Sequence, residues 1–160
     1  MLYHHRFRVR AAQADVAAFH QGSRSMGAIT PPPVIVQVHA APQQLEEGDV
    51  MDFTLWLGPL PIHWVARIEE TTPVSFVDRQ LQGPFAAWEH LHTYVAQPDG
   101  STIVDDRVTA RFSKHPFWFF VGLGMWVTLP MLFAFRGWKT RRILEAEAVA
   151  QVGKVATVKQ

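Results

Sequence analysis

The sequence predicts an α+β domain in which one curved antiparallel sheet is closed by a long C-terminal helix. Three observations carry that prediction. Between Phe76 and Tyr94, Asp78 and Gln80, then Trp88, His90, His92 and Tyr94, fall at alternate positions on either side of Gly83-Pro84. In extended chain alternate residues share one face, so two neighbouring strands line one side with polar and aromatic groups. Turn signals recur at Gly58-Pro59, Gly83-Pro84 and Pro98-Asp99-Gly100, which is the punctuation of successive hairpins. Beyond Pro116 the alternation gives way to a helical pattern that runs to about Val149.

The elements follow in order. Tyr3 to Arg10 alternates as a first strand, and Ala11 to His20 reads as a short helix ended by Gly22. A second helical turn covers Ser23 to Ala28 before Pro31-Pro32-Pro33 forces extended chain. Val34 to Val38 is a strand by its β-branched content. Val50 to Leu57 puts Met51, Phe53 and Leu55 on one face, and Ile62 to Glu70 puts Ile62, Trp64, Ala66 and Ile68 together. After Pro73 come Ser75 to Gln82, Phe85 to Ala96 and Thr102 to Phe112, the last with Val104, Asp106, Val108 and Ala110 on one side. Strands joined by short turns pair antiparallel. The expected domain is therefore residues 1–150: seven strands, two short helices after the first strand and the long helix. Residues 151–160 are expected to be a flexible tail.

Composition narrows the function classes. A net charge of +1, with no basic run interleaved with aromatics, argues against nucleic acid as partner. The absence of cysteine excludes disulfides and thiolate metal sites. The N-terminal stretch lacks an apolar core of the secretory kind, so a cytoplasmic location is expected, with membrane association as a further possibility. Residues 116–135 carry no charge and are long enough to cross a bilayer. Gly122, Gly124 and Pro130 interrupt them, and a buried helix is the expectation.

The chain resembles the START-like, or SRPBCC, superfamily, in particular its bacterial branch related to polyketide cyclases and lipid transporters. The resemblance rests on Phe19-His20, Pro31-Pro32, Phe76-Val-Asp78-Arg-Gln80, Gly83-Pro84-Phe85, Trp88-Glu-His90-Leu-His92, Asp106-Arg107-Val108 and Phe133-Ala-Phe-Arg136, which occur in order over most of residues 3–144. It implies the helix-grip fold and a cavity for an apolar ligand such as a lipid, quinone or polyketide-like aromatic. No cofactor is implied, and the resemblance supports a cavity better than a reaction.

On this reading Met51, Phe53, Leu55, Trp64, Ile68, Trp88, Tyr94, Leu129 and Phe133 form the apolar wall between sheet and helix. Asp78, Gln80, His90, His92 and Asp106 fix the ligand's orientation. Arg136 lies on the helix stripe with Leu129, Phe133 and Thr140, and is expected to meet Asp78 or Asp106, because an unpaired buried guanidinium is costly. Asp78, His90 and His92 have the donor set of an open metal site, but the same groups satisfy one another by hydrogen bonding, and no metal is expected. The leading expectation is a non-catalytic carrier or sensor of a hydrophobic small molecule. The alternatives are a cyclase or dehydratase with His90 or His92 as general base, and a module that docks on a membrane or partner through 116–135. Oligomeric state is not legible.

Overall fold

The computed structural model describes residues 1–158, with side chains up to residue 150. The strands are β1 (Leu2–Val9), β2 (Ile35–Ala40), β3 (Val50–Leu57), β4 (Leu60–Thr72), β5 (Ser75–Gln82), β6 (Phe85–Ala96) and β7 (Thr102–Phe112). The helices are α1 (Gln13–Gln21), α2 (Arg24–Ala28) and α3 (Pro116–Val158). The hairpin succession gives a single sheet of order β1-β7-β6-β5-β4-β3-β2, antiparallel throughout. The first hairpin turn is tighter than expected. Leu57 pairs with Leu60, and Gly58 takes the positive φ of 61° that a two-residue loop needs at its first central position.

Register places the polar groups. Asp78 lies opposite His90, and His92 lies opposite Asp106. His5 on β1 also faces Asp106 across the other side of β7. Register shifts at Val65/Ala66, Glu69/Thr72 and Phe85/Ala87 interrupt the ladders, and such bulges bend a strand and raise its twist.

Aromatic side chains pack over the concave face. Trp64 meets Trp88 edge-on at 5.5 Å, Phe85 lies 4.9 Å from Trp88, and Phe53 stacks on Trp64 at 6.3 Å. Leu129 and Phe133 of α3 are buried in the same cluster. Met51, Phe53, Trp64, Ile68, Trp88, Tyr94, Leu129 and Phe133 are buried core, with Leu55 half-buried beside them. Two open clefts lie elsewhere, both against α1. One of about 390 Å³ runs between α1, α2 and Gln43-Gln44, and one of about 290 Å³ lies between Asp15, Ala18 and Phe19 of α1 and Leu144, Glu147 and Ala148 of α3. None of the predicted cavity residues lines either cleft.

Two expectations about α3 change. The helix continues through Pro130 and on to Val158, beyond the expected end near Val149. The side chains of the tail assigned to 151–160 lie outside the described residues. The apolar segment is also not a buried helix: only 17% of its most apolar window is buried. One face packs on β1, β6 and β7, and the other is open.

Phe133 is buried against Tyr3, His5 and His90, whereas Phe120 is largely exposed. Phe133→Ala is expected to cost about 3–5 kcal/mol in urea unfolding, and Phe120→Ala less than about 0.5 kcal/mol. Equal losses would contradict this packing.

Candidate functional site

β6 supplies two imidazoles from alternate positions, and each neighbouring strand supplies one carboxylate. His90 Nδ1 is 3.3 Å and His92 Nε2 3.2 Å from Asp78 Oδ2. On the other side His90 Nε2 is 3.3 Å and His92 Nδ1 2.9 Å from Asp106 Oδ1. The last contact is close, but it lies off the ring's N–H direction and is an ion-pair contact rather than an aligned hydrogen bond. The two rings lie 3.8 Å apart. Alternation on β6 together with the β5–β6–β7 register brings all four groups to the concave face.

Electrostatics sort the four. Burial opposes ionisation of Asp78 and Asp106, yet the hydrogen bonds and fields of His90 and His92 hold both carboxyls well below the usual carboxylate range. Burial likewise opposes a charge on His92, but Asp106 and Asp78 outweigh it and raise its pKa to about 9. His92 is therefore an imidazolium at neutral pH. The donor atoms of Asp78, His90 and His92 fall within 4.8 Å of one another, and a cation could take all three only by displacing a proton from His92.

Arg136 corrects one expectation. Among the described residues it makes no ion pair with Asp78 or Asp106. Its guanidinium carbon lies 5.6 Å over the Phe133 ring, and its Nε is buried without a partner. Burial lowers its pKa while the fields of Asp106 and Asp78 raise it, so the guanidinium senses both carboxylates without touching them. The His92 imidazolium and the Arg136 guanidinium both lie in the fields of the two carboxylates. Gln80 corrects another. Its amide donates to the Phe85 carbonyl at 2.8 Å, so it fastens the Gly83-Pro84 turn and does not join the Asp–His cluster.

Three donors bordering the cluster have no acceptor among the described residues: Tyr94 Oη, Arg136 Nε and Thr140 Oγ1. Thr140 lies one turn beyond Arg136 on the inner face of α3. Burial, and then the fields of Asp106 and Asp78, push the Tyr94 phenol well above its ordinary pKa, so it stays a donor.

His20 is a residue that the sequence reading missed as part of the site. Its Nδ1 lies 2.8 Å from the Val16 carbonyl. A carbonyl only accepts, so the proton sits on Nδ1 and Nε2 is left as an acceptor. Burial lowers its pKa to about 4, against the pull of that Val16 bond. The ring lies 5.2 Å from Tyr94 and 6.5 Å from His92. Phe19, edge-on to His20 at 5.2 Å, stands between it and both open clefts. The available signal was position, because His20 follows Val16 by one helical turn on the buried side of α1.

No family model matches the sequence, and no curated protein matches it. Solved structures do. A norcoclaurine synthase from Thalictrum flavum, a point mutant in complex with a transition-state analogue, aligns with TM-score 0.68 and 11% identity over 92% of this chain and 96% of that one. The di-domain aromatase/cyclase StfQ from the steffimycin pathway aligns with TM-score 0.69 and 10% identity over 92% of this chain and 52% of its own. A nucleoside-diphosphate sugar epimerase from Corynebacterium glutamicum gives TM-score 0.65 and 22% identity over 89% of this chain and 29% of its own. The chain has the helix-grip fold. At such identities the likeness is one of fold.

The charges of the helix-grip interior set a pH dependence. Unfolded His92 loses its proton near pH 6.5, whereas folded His92 keeps it to about 9. Between these values the folded state binds more protons, so stability falls as pH rises. For His20 the folded pKa of about 4 lies below the unfolded value, and stability falls as pH drops from about 6.5 towards 4. The melting temperature is expected to decline on both sides of pH 6.5, with the alkaline limb flattened in His92→Gln and the acid limb between pH 6.5 and 4 reduced in His20→Gln. An alkaline limb unchanged in His92→Gln would contradict the assignment.

Proposed function

We propose that the protein binds a small organic molecule with an apolar body and an oxygen acceptor, a carbonyl or carboxylate, that reaches the polar cluster under α3. The observation that carries this reading is the set of buried donors without acceptors: Tyr94 Oη, Arg136 Nε and Thr140 Oγ1. A buried donor left unpaired costs about 1–3 kcal/mol, and a ligand acceptor that reaches any of the three removes that cost. His20 Nε2 offers the complementary acceptor for a ligand hydroxyl. The cleft between α1 and α3 has Ala18, Phe19, Leu144 and Ala148 on its walls, which suit the ligand body, with Asp15 and Glu147 beside them. Entry then requires Phe19 to turn aside from His20. The norcoclaurine synthase of the same fold has been solved with dopamine and hydroxybenzaldehyde, small aromatics of this kind, which supports the ligand class. Carriage or sensing needs nothing beyond this binding.

A second reading, acid–base turnover of the same ligand, is supported by one observation. His20 and His92, 6.5 Å apart, are pushed in opposite directions, to about 4 and about 9. Pairs of groups driven apart in this way mark acid and base roles. Here His20 is the neutral acceptor and His92 the protonated partner, which removes His92 from the role of base.

Native mass spectrometry of protein purified without detergent tests the binding reading. One stoichiometric organic adduct bearing oxygen is expected, and Tyr94→Phe and Thr140→Val should fold yet hold it at least about tenfold less tightly. A clean apo mass from folded wild-type protein, or full adduct in both variants, would contradict it. His20→Gln retaining the adduct while losing conversion of it would favour turnover.

A further inference from the structure

The outer face of α3 is apolar and has no cover among the described residues. Phe117, Phe120, Val127, Met131 and Trp138 share one stripe at helical spacing, and all are exposed, Phe120 by 69% and Val127 and Met131 by 67% each. The stripe cannot roll inward. A Cβ on Gly122 would lie 3.3 Å from the Phe85 ring and 3.4 Å from Phe112, and one on Gly137 would lie 3.1 Å from Phe7, so the helix is held against the sheet at both points. An apolar surface this long on a water-soluble fold marks an interaction site.

Charge identifies the occupant. Residues 107–144 contain seven Lys and Arg and no Asp or Glu, while the rest of the chain sums to −6. Of the seven, Arg107 pairs with Asp105, Arg136 lies on the inner face over Phe133, and Arg141 leans over Phe7. That leaves Arg111, Lys114, Lys139 and Arg142 without a carboxylate partner among the described residues. Lys114 precedes the stripe, and Arg141 and Arg142 follow it, all exposed. The Arg142 guanidinium lies 5.3 Å over the Trp138 ring, so a cation adjoins the end of the apolar surface. Against a second copy of the chain this arrangement is repulsive. Antiparallel seating of two stripes centred on Val127 sets Lys114 of each copy near Arg141 and Arg142 of the other, and parallel seating stacks like on like. A span through the bilayer is opposed by the inner face, which is already committed to β1, β6 and β7. A lipid surface accepts apolar side chains between flanking cations, and an anionic one attracts the cations.

We propose that α3 docks in plane on an anionic membrane surface, with Phe120, Val127 and Met131 entering the acyl boundary and Lys114, Arg141 and Arg142 at the headgroups. This surface lies opposite the polar cluster and does not depend on the ligand reading.

The test is sedimentation of the full chain with vesicles of phosphatidylcholine alone, or of phosphatidylcholine mixed with phosphatidylglycerol. Partition into the mixed vesicles is expected to exceed that into the neutral ones by at least about tenfold and to weaken with salt. The double variant Val127→Glu/Met131→Glu, with unchanged circular dichroism, is expected to lose at least about tenfold in partition. Lys114→Glu/Arg142→Glu should abolish the preference for phosphatidylglycerol. No sedimentation with either vesicle, equal partition into both, or a dimer in analytical ultracentrifugation that Val127→Glu/Met131→Glu splits would each overturn the proposal.

Discussion

Two ionised carboxylates buried beneath a helix set the terms for the rest of this structure. Each is costly away from water unless it is paired and hydrogen-bonded, and the chain meets that requirement with strand geometry. β6 carries His90 and His92 at alternate positions, and β5 and β7 bring Asp78 and Asp106 opposite them. A slip of one residue in either ladder would turn these groups to the other face and leave charges unpaired. The paired charges therefore help to specify the register that the Gly83-Pro84 and Pro98-Asp99-Gly100 turns begin. Gln80 reinforces it by tying its amide to Phe85 across the first of those turns.

The cluster also makes a division of labour. Asp78 Oδ2 and Asp106 Oδ1 are taken by the two imidazoles, and Arg136 Nε is left buried without an acceptor among the described residues. The Tyr94 and Thr140 hydroxyls are left in the same position. The fold thus combines a packed aromatic layer around Trp64 and Trp88 with a small region where buried donors lack acceptors among the described residues. Packing explains the first and adds nothing to the second, which is why the functional reading rests on the donors and not on cavity volume. The fold shared with norcoclaurine synthase and StfQ supplies the scaffold, and the chemistry is read from this chain's own side chains.

Much of this was legible in the sequence. Period-two alternation and Gly/Pro punctuation are local signals, and they located every strand and the inward placement of Asp78, His90, His92 and Asp106. Failures came where position depends on how elements dock. Arg136 was placed on the correct face of α3, but whether it touches a carboxylate turns on helix position at the scale of an ångström. How much space the buried wall residues leave between sheet and helix depends on three-dimensional packing, which alternation does not carry. His20 was not singled out as a site residue, because a nine-residue helix rich in alanine presents little periodic contrast. The apolar run 116–135 was plain in composition, while its exposure depends on the helix using one face only.

The measurement that bears most directly on the central claim is the protonation of His20 and His92 by long-range ¹⁵N–¹H NMR between pH 4 and 10. The contacts of Asp106 and Asp78 with His92 predict it doubly protonated at pH 7 and titrating at about 9. Burial predicts His20 neutral at the same pH, with its proton on Nδ1. Two imidazoles titrating together near 6.5 would mean that the cluster is solvated and uncoupled, and the account of the site would fall with it.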